Sequence, residues 1–251
     1  MFFEIDNHSR ICLFEMSNVG LLTIVYYVLL TIELYGETVG NYSIIWLCKP
    51  FLMPVLLLLF LKNSQKNFLL ERVCLSTALV LSCLGDILFI EHRKDFFLYG
   101  VSVYFIVHLC YIATFLFQMK QLLKQRLSVS SMIVISIPFW LYLISFLSIL
   151  HPKLTDNSEE TKDLLIPIVI YGFVIISMGY VSYLRGRNIP GFWSVFLGAL
   201  FFILSDSLLA YNRFVSRLPV PGLPIMFTYG VGQYLITIGT LQVAKKYRKI
   251  A

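Results

Sequence analysis

Charged side chains punctuate this chain at intervals that fit membrane crossings. Asp95 and Lys120 enclose 24 residues free of Asp, Glu, Lys and Arg, Arg126 and Lys153 enclose 26, and Arg217 and Lys245 enclose 27. Arg72 and Glu91 enclose 18 residues whose only charge is Asp86, and Arg187 and Arg213 enclose 25 whose only charge is Asp206. A helix that crosses a bilayer needs ~20 mostly apolar residues. The pattern predicts eight spans: Asn18–Tyr35, Ile44–Leu61, Leu69–Ile90, Phe96–Met119, Val129–Leu150, Leu164–Leu184, Phe192–Val215 and Leu223–Ala244. Turn and charge signals separate them, among them Gly36-Glu37-Thr38, the run from Lys62 to Lys66, and the run from Glu91 to Asp95. The longest connection, 151–163, is acidic. The amino-terminal leader mixes Glu4, Asp6, Arg10 and Glu15 and shows no A-x-A site, so it does not read as a secretory signal. The expected fold is an all-α integral membrane protein of eight transmembrane helices, one domain over residues 1–251, with no room for a soluble domain.

Composition agrees. Hydrophobic residues make up 58% of the chain and charged residues 14%, with a mean hydropathy of +0.80, whereas a soluble domain carries ~25% charged residues. This excludes a disordered protein, a coiled coil and a nucleic-acid-binding domain. The +6 net charge reads instead as the Lys/Arg excess of cytoplasmic loops. With eight spans, the side holding both termini carries 13 Lys and Arg, Arg185 and Arg187 among them, and the opposite side carries 6. Both termini are therefore expected in the cytoplasm. The five cysteines, Cys12, Cys48, Cys74, Cys83 and Cys110, form no C-x-x-C and read as small packing residues, without a disulfide framework.

A charge at the centre of a bilayer costs ~2.5–3.5 kcal/mol or more, so each one needs a reason. The spans hold Lys49, Asp86, His108, Asp206 and, near a membrane edge, Arg213. Lys49 lies early in span 2, Asp86 late in span 3, Asp206 past the middle of span 7 and Arg213 at its end. All four share the half of the bilayer away from the termini, as one polar pocket requires. Asp206 and Arg213 are seven residues apart and share a helix face at ~10.5 Å of rise, suiting two stations along one ligand. Ser82 with Asp86, Tyr104 with His108, and Tyr229 with Gln233 each share a face at i,i+4. Each of these pairs alone reads as packing, and the aspartates also read as helix locks paired with Lys49 or Arg213. Leu84-Gly85-Asp86-Ile87-Leu88 echoes Leu204-Ser205-Asp206-Ser207-Leu208 at an offset of 120 residues, or four spans. The echo fits a parallel 4+4 internal repeat and equally a chance match in a leucine-rich chain. Zinc hydrolysis needs about three protein ligands, and only His108 of the four histidines lies in a span. There is no G-x-S-x-G elbow, P-loop or G-x-G-x-x-G.

These stretches resemble the YhhN-like lysoplasmalogenases, eight-span membrane enzymes that hydrolyse the vinyl ether bond of lysoplasmalogens. The resemblance rests on Lys49-Pro50-Phe51-Leu52-Met53-Pro54, on Ser82 through Leu88, on Gly100 through His108 to Tyr111, on Gly198 through Ala210 with Arg213-Phe214, and on Tyr229 with Gln233-Tyr234-Leu235-Ile236. It covers most of the chain in order, departing in the amino-terminal segment and in 151–163. It implies catalytic roles for Asp86 and Asp206. Lys49, Arg213, His108, Tyr229, Gln233, Ser82 and Ser205 are expected around the lysophospholipid. Vinyl ether cleavage protonates the β-carbon and passes through an oxocarbenium ion, calling for a general acid and a nearby negative charge. Two carboxyl groups in different surroundings supply both, as in glycoside hydrolysis, and no metal or organic cofactor is required. The competing reading is a proton-coupled transporter of a lipid or amphiphile, against which Pro54, Pro138 and Pro167 form no matched helix breaks in the two halves.

Overall fold

The structure is a computed structural model that describes residues 7–64, 69–90, 94–122, 128–155 and 164–248, with side chains described except at 7–18, 94–95 and 244–248. The chain forms α1 (Asn7–Val39), α2 (Tyr42–Asn63), α3 (Leu69–Ile90), α4 (Lys94–Leu122), α5 (Val129–Leu154), α6 (Leu165–Leu184), α7 (Phe192–Phe214) and α8 (Gly222–Arg248), with no strand among the described residues. Seven of these helices, α1 to α7, are long and apolar enough to cross a membrane. At 27 residues α8 is about 40 Å long but less apolar, because it turns Thr228, Tyr229, Gln233, Thr237 and Thr240 into the bundle, where all are buried. The interior sets polar side chains among a large apolar core, while the outer surface is apolar. Asp86, His108, Gln118 and Ser182 are buried while Ile133, Val134, Leu141 and Ile144 of α5 are exposed. In hydrocarbon, polar side chains that face neighbouring helices avoid unsatisfied contact with lipid.

Helices adjacent in sequence pack together, except that α4 lies against α6 rather than α5. Shifting by four helices maps α1/α2, α2/α3, α3/α4 and α4/α6 onto α5/α6, α6/α7, α7/α8 and α8/α2, all of them packed pairs. Two contacts, α1 with α8 and α5 with α7, have no counterpart under this shift. Asp86 on α3 and Asp206 on α7 occupy corresponding helices. The α1–α8 contact is fixed by Tyr26, whose hydroxyl donates to the Gly230 carbonyl at 2.8 Å.

Two details differ from the sequence expectation, each for a local reason, and a third the sequence did not foretell. Gly36-Glu37-Thr38, expected as a turn, is the last turn of α1. The chain reverses at Gly40, whose φ of +65° suits a residue without Cβ, and at Asn41, which caps α2 by accepting from the Ser43 and Ile44 amides. Glu37 thereby stays on a helix. Arg185, counted among the loop cations, is fully buried. It donates through Nε to Gln118 Oε1 and through Nη2 to the Pro190 carbonyl at 2.6 Å. Burial holds this guanidinium down at about 10, with the Glu71 carboxyl acting the other way. Finally, Pro54 lacks the N–H that would bond the Pro50 carbonyl four residues back. That carbonyl instead accepts from Cys83 Sγ at 3.2 Å, stitching α2 to α3. The acidic stretch 156–163 and the run 91–93 lie outside the described residues.

The backbones of α7 and α8 approach each other closely at paired glycines. A Cβ on Gly198 would stand 2.8 Å from the Gly232 carbonyl oxygen, and one on Gly232 would stand 2.9 Å from the Gly198 oxygen. Small residues that let backbones meet are a main source of helix association in membranes. Gly198→Leu should therefore separate α7 from α8 and cost about 1–3 kcal/mol or more, read as a lower melting temperature and yield in detergent. An unchanged melting temperature would show that this contact is not needed.

Candidate functional site

At the end of the bundle away from the termini, a cavity of about 190 Å³ opens between α1, α2, α3, α4, α7 and α8. Its lining includes Lys49, Asp86, Ser205, Asp206, Arg213 and Tyr229, residues dispersed over 181 positions of sequence. Asp86 sits deepest, 2% exposed. Both of its oxygens are engaged: Tyr104 donates to Oδ1 at 2.6 Å, Tyr229 donates to Oδ2 at 2.9 Å, and the two hydroxyls are 2.9 Å apart. Gly85 makes this arrangement feasible. A Cβ there would come within 2.5 Å of the Tyr104 ring, so glycine lets that ring lie against α3 with its hydroxyl on the neighbouring carboxylate.

Asp206 is placed differently. Its side chain is 15% exposed, its Oδ2 accepts from the Tyr171 hydroxyl, and His108 Nε2 stands 3.4 Å away. His108 Nε2 is also 2.9 Å from the Tyr171 oxygen. Because Tyr171 spends its proton on Asp206, its oxygen accepts from His108, leaving His108 Nδ1 buried without a partner. Phe202, one turn before Asp206 and fully buried, separates the two carboxyl environments. Its ring meets Tyr104 and Tyr229 edge-on at 6.0 and 5.5 Å, and His108 at 4.8 Å.

The remaining sequence candidates take distinct places. Lys49 lies on the cavity wall, 8% exposed. Arg213 lines the cavity with its guanidinium 5.3 Å from the Phe97 ring centroid. Ser205 also lines it, while its hydroxyl donates to the Ile225 carbonyl at 2.9 Å. Ser82 and Gln233 are fully buried below the cavity, where Gln233 Nε2 donates to Ser82 Oγ at 3.1 Å and Tyr111 donates to Gln233 Oε1. They brace α3, α4 and α8 under Asp86, and His108 likewise stands behind Asp206 rather than on the cavity wall.

The sequence reading omitted two carboxyl groups. Glu33, fully buried on α1, lies within electrostatic reach of Lys49, Glu37 and Asp86. Glu37, one turn on, lines the cavity and rests against Gly222, where α8 begins. The signal was available, since Glu33 and Glu37 are spaced i,i+4 and Glu33 falls within a predicted span. Among the described residues, no group of three or more His, Cys, Asp or Glu side chains could hold a metal ion.

Against this geometry, the profile of the YhhN family matches residues 44–240, which covers both aspartates. A protein of Mycobacterium tuberculosis named lysoplasmalogenase is 28% identical over 170 residues, 67% of this chain and 60% of the relative. The human protein named lysoplasmalogenase TMEM86B is 30% identical over 168 residues, 67% of this chain and 63% of the relative. Its rat counterpart is 28% identical over 196 residues, 78% of this chain and 71% of the relative. The chain thus spans about three fifths of the mycobacterial relative's length. No solved structure matches the chain.

Proposed function

This chain belongs to the YhhN family, and on that premise we propose that it is a membrane hydrolase that cleaves the vinyl ether bond of lysoplasmalogen. The observation that carries the reading is the convergence of two differently surrounded carboxyl groups, Asp86 buried and Asp206 part-buried, on one cavity with Lys49 and Arg213 on its walls. The relatives named lysoplasmalogenase support the same chemistry. Purified protein given lysoplasmalogen in detergent should release free fatty aldehyde. A preparation that binds the lipid and releases none would overturn the reading in favour of transport.

The reaction adds one water. We assign the proton donor to Asp206, the carboxyl group more open to the cavity: it gives its proton to the β-carbon of the vinyl ether, and the π electrons form that C–H bond. The resulting oxocarbenium ion lies beside the Asp86 carboxylate, whose negative charge is worth more in a water-poor site than in solution. Water adds to the cationic carbon and returns a proton to Asp206. The hemiacetal then collapses to the aldehyde and the glycerophospho-alcohol. Tyr171 and His108 orient Asp206 on one side, and Tyr104 and Tyr229 fix Asp86 on the other. The Lys/Arg asymmetry of the loops supports placing this cavity on the face away from the cytoplasm.

Arg213 supplies a phosphate anchor. A lysolipid carries its phosphate one glycerol unit from the vinyl ether, and Arg213 stands two helical turns from Asp206 on the same face of α7. The planar guanidinium suits two phosphate oxygens at once. Arg213→Gln should raise KM for lysoplasmalogen about tenfold, the effect of one lost charge-assisted contact, with little change for an analogue lacking the phosphate. An unchanged KM in a well-expressed variant would assign the phosphate to Lys49 or to a loop.

A further inference from the structure

Three hollows lie in series along α7. The polar cavity shares Phe89, Phe97, Asp206 and Leu209 with an apolar cleft of about 70 Å³ bounded mainly by α5, α6 and α7, with α3 and α4 at its edge. That cleft shares Tyr142, Ile176 and Ile203 with a groove of about 520 Å³ on the lipid-facing side of α5, α6 and α7. Asp206 therefore stands at the seam between polar and apolar space, and Tyr142, Ile176 and Ile203 form a neck below it. The order is written on α7, where Arg213, Asp206, Ile203, Leu200 and Phe196 follow one another at intervals of three, four or seven residues. From Asp206 to Phe196 the helix rises about 15 Å, half of the ~30 Å hydrocarbon thickness of a bilayer.

We propose that this cleft and groove are the binding site of the substrate's hydrocarbon chain, which enters beside Asp206, passes the neck and lies in the groove. The proposal rests on the hydrolase reading for the identity of the lipid, a single long chain on a glycerophosphate. The occupant follows from continuity. A lipid whose phosphate is at Arg213 and whose vinyl ether is at Asp206 has its next methylenes at the neck. The cleft is lined almost wholly by apolar side chains such as Leu143, Phe146 and Ile175, which offer a hydrocarbon chain contact and a phosphate none. Two of the residues at this neck are held in place. Ile203 lies over Gly179, where a Cβ would meet its Cδ1 at 2.5 Å, and Tyr142 is held by a 2.7 Å hydrogen bond to Ser207 across α5 and α7.

Two measurements test this. Ile203→Phe and, as a second variant, Ile176→Phe narrow the neck. The ratio of kcat/KM for a sixteen-carbon over a four-carbon alkenyl substrate should fall about tenfold in each, the low end of what one or two methylenes decide in a fitted pocket. In the second arm, an uncleavable alkyl-ether lysolipid with a diazirine at its chain end is photolysed on the detergent-solubilised protein. Label should appear on the α5 and α7 segments that line the groove and should be lost in Ile203→Phe. A chain-length ratio unchanged in both variants, or label in the groove that Ile203→Phe does not diminish, would overturn the proposal and leave the groove as ordinary lipid-facing surface. Neck-dependent labelling without any aldehyde release from wild type would sink the hydrolase reading while the chain site stands.

Discussion

Asp206→Asn is expected to insert and fold normally yet turn over lysoplasmalogen ~10²–10⁴-fold more slowly, the usual contribution of a general acid. Asn preserves the size of the side chain and one oxygen for the Tyr171 hydroxyl, so the α6–α7 contact survives. What it loses is the ability to give up a proton. Asp86→Asn should be comparably inactive for a different reason. Its amide still accepts from one tyrosine, but the negative charge beside the oxocarbenium ion is gone. The two roles separate experimentally. In the Asp206 reading, proton transfer to carbon is rate-limiting and wild type shows a substantial solvent deuterium isotope effect. The residual activity of Asp86→Asn keeps that effect, because its proton donor is intact. Wild-type turnover by either variant would remove that aspartate from the mechanism, and Tyr104→Phe should lie between the two extremes because Tyr229 still holds Asp86.

The second large effect concerns stability at the other end of the bundle. Arg185→Met should cost about 3 kcal/mol or more, because it takes the donors from Gln118 and the Pro190 carbonyl and leaves the buried Glu71 carboxyl without the cation within its electrostatic reach. Glu71 is buried at the start of α3, with Gln118 standing between the two. The double variant Glu71→Leu/Arg185→Met should recover much of the lost melting temperature, since replacing a whole buried pair by apolar groups is close to neutral. The two substitutions are then strongly non-additive. Additive losses in melting temperature would show that Arg185 acts through the Pro190 carbonyl alone.

The helices were legible in the sequence because charge spacing and hydropathy report a single physical demand, that each segment fill a bilayer with apolar side chains. That demand is blind to what faces the interior. It set Gly36-Glu37-Thr38 as a turn because it does not weigh the Gly40–Asn41 reversal that follows, and it counted Arg185 as a loop cation because it does not register Gln118 and Pro190 as partners. Lys49, Asp86, Asp206 and Arg213 could be assembled from depth alone, and the structure brings all four to one cavity. Tyr104 and Tyr171 could not, because a tyrosine hydroxyl in an apolar run resembles packing until the carboxylate it meets is known. Ser82 and Gln233 share helix faces with Asp86 and Tyr229, a spacing that alone reads as packing; expected around the substrate, they lie in the layer beneath the cavity.

Phe202 gives this site its wiring. The Tyr104–Asp86–Tyr229 group and the Tyr171–Asp206–His108 group are each closed by their own hydrogen bonds, and among the described residues no hydrogen bond joins them. The ring between them conducts no protons. In the resting protein the two carboxyl groups are separate circuits, and whatever occupies the cavity completes the connection. Any proton that passes from one group to the other therefore crosses through what occupies the cavity and not through a hydrogen bond between described residues.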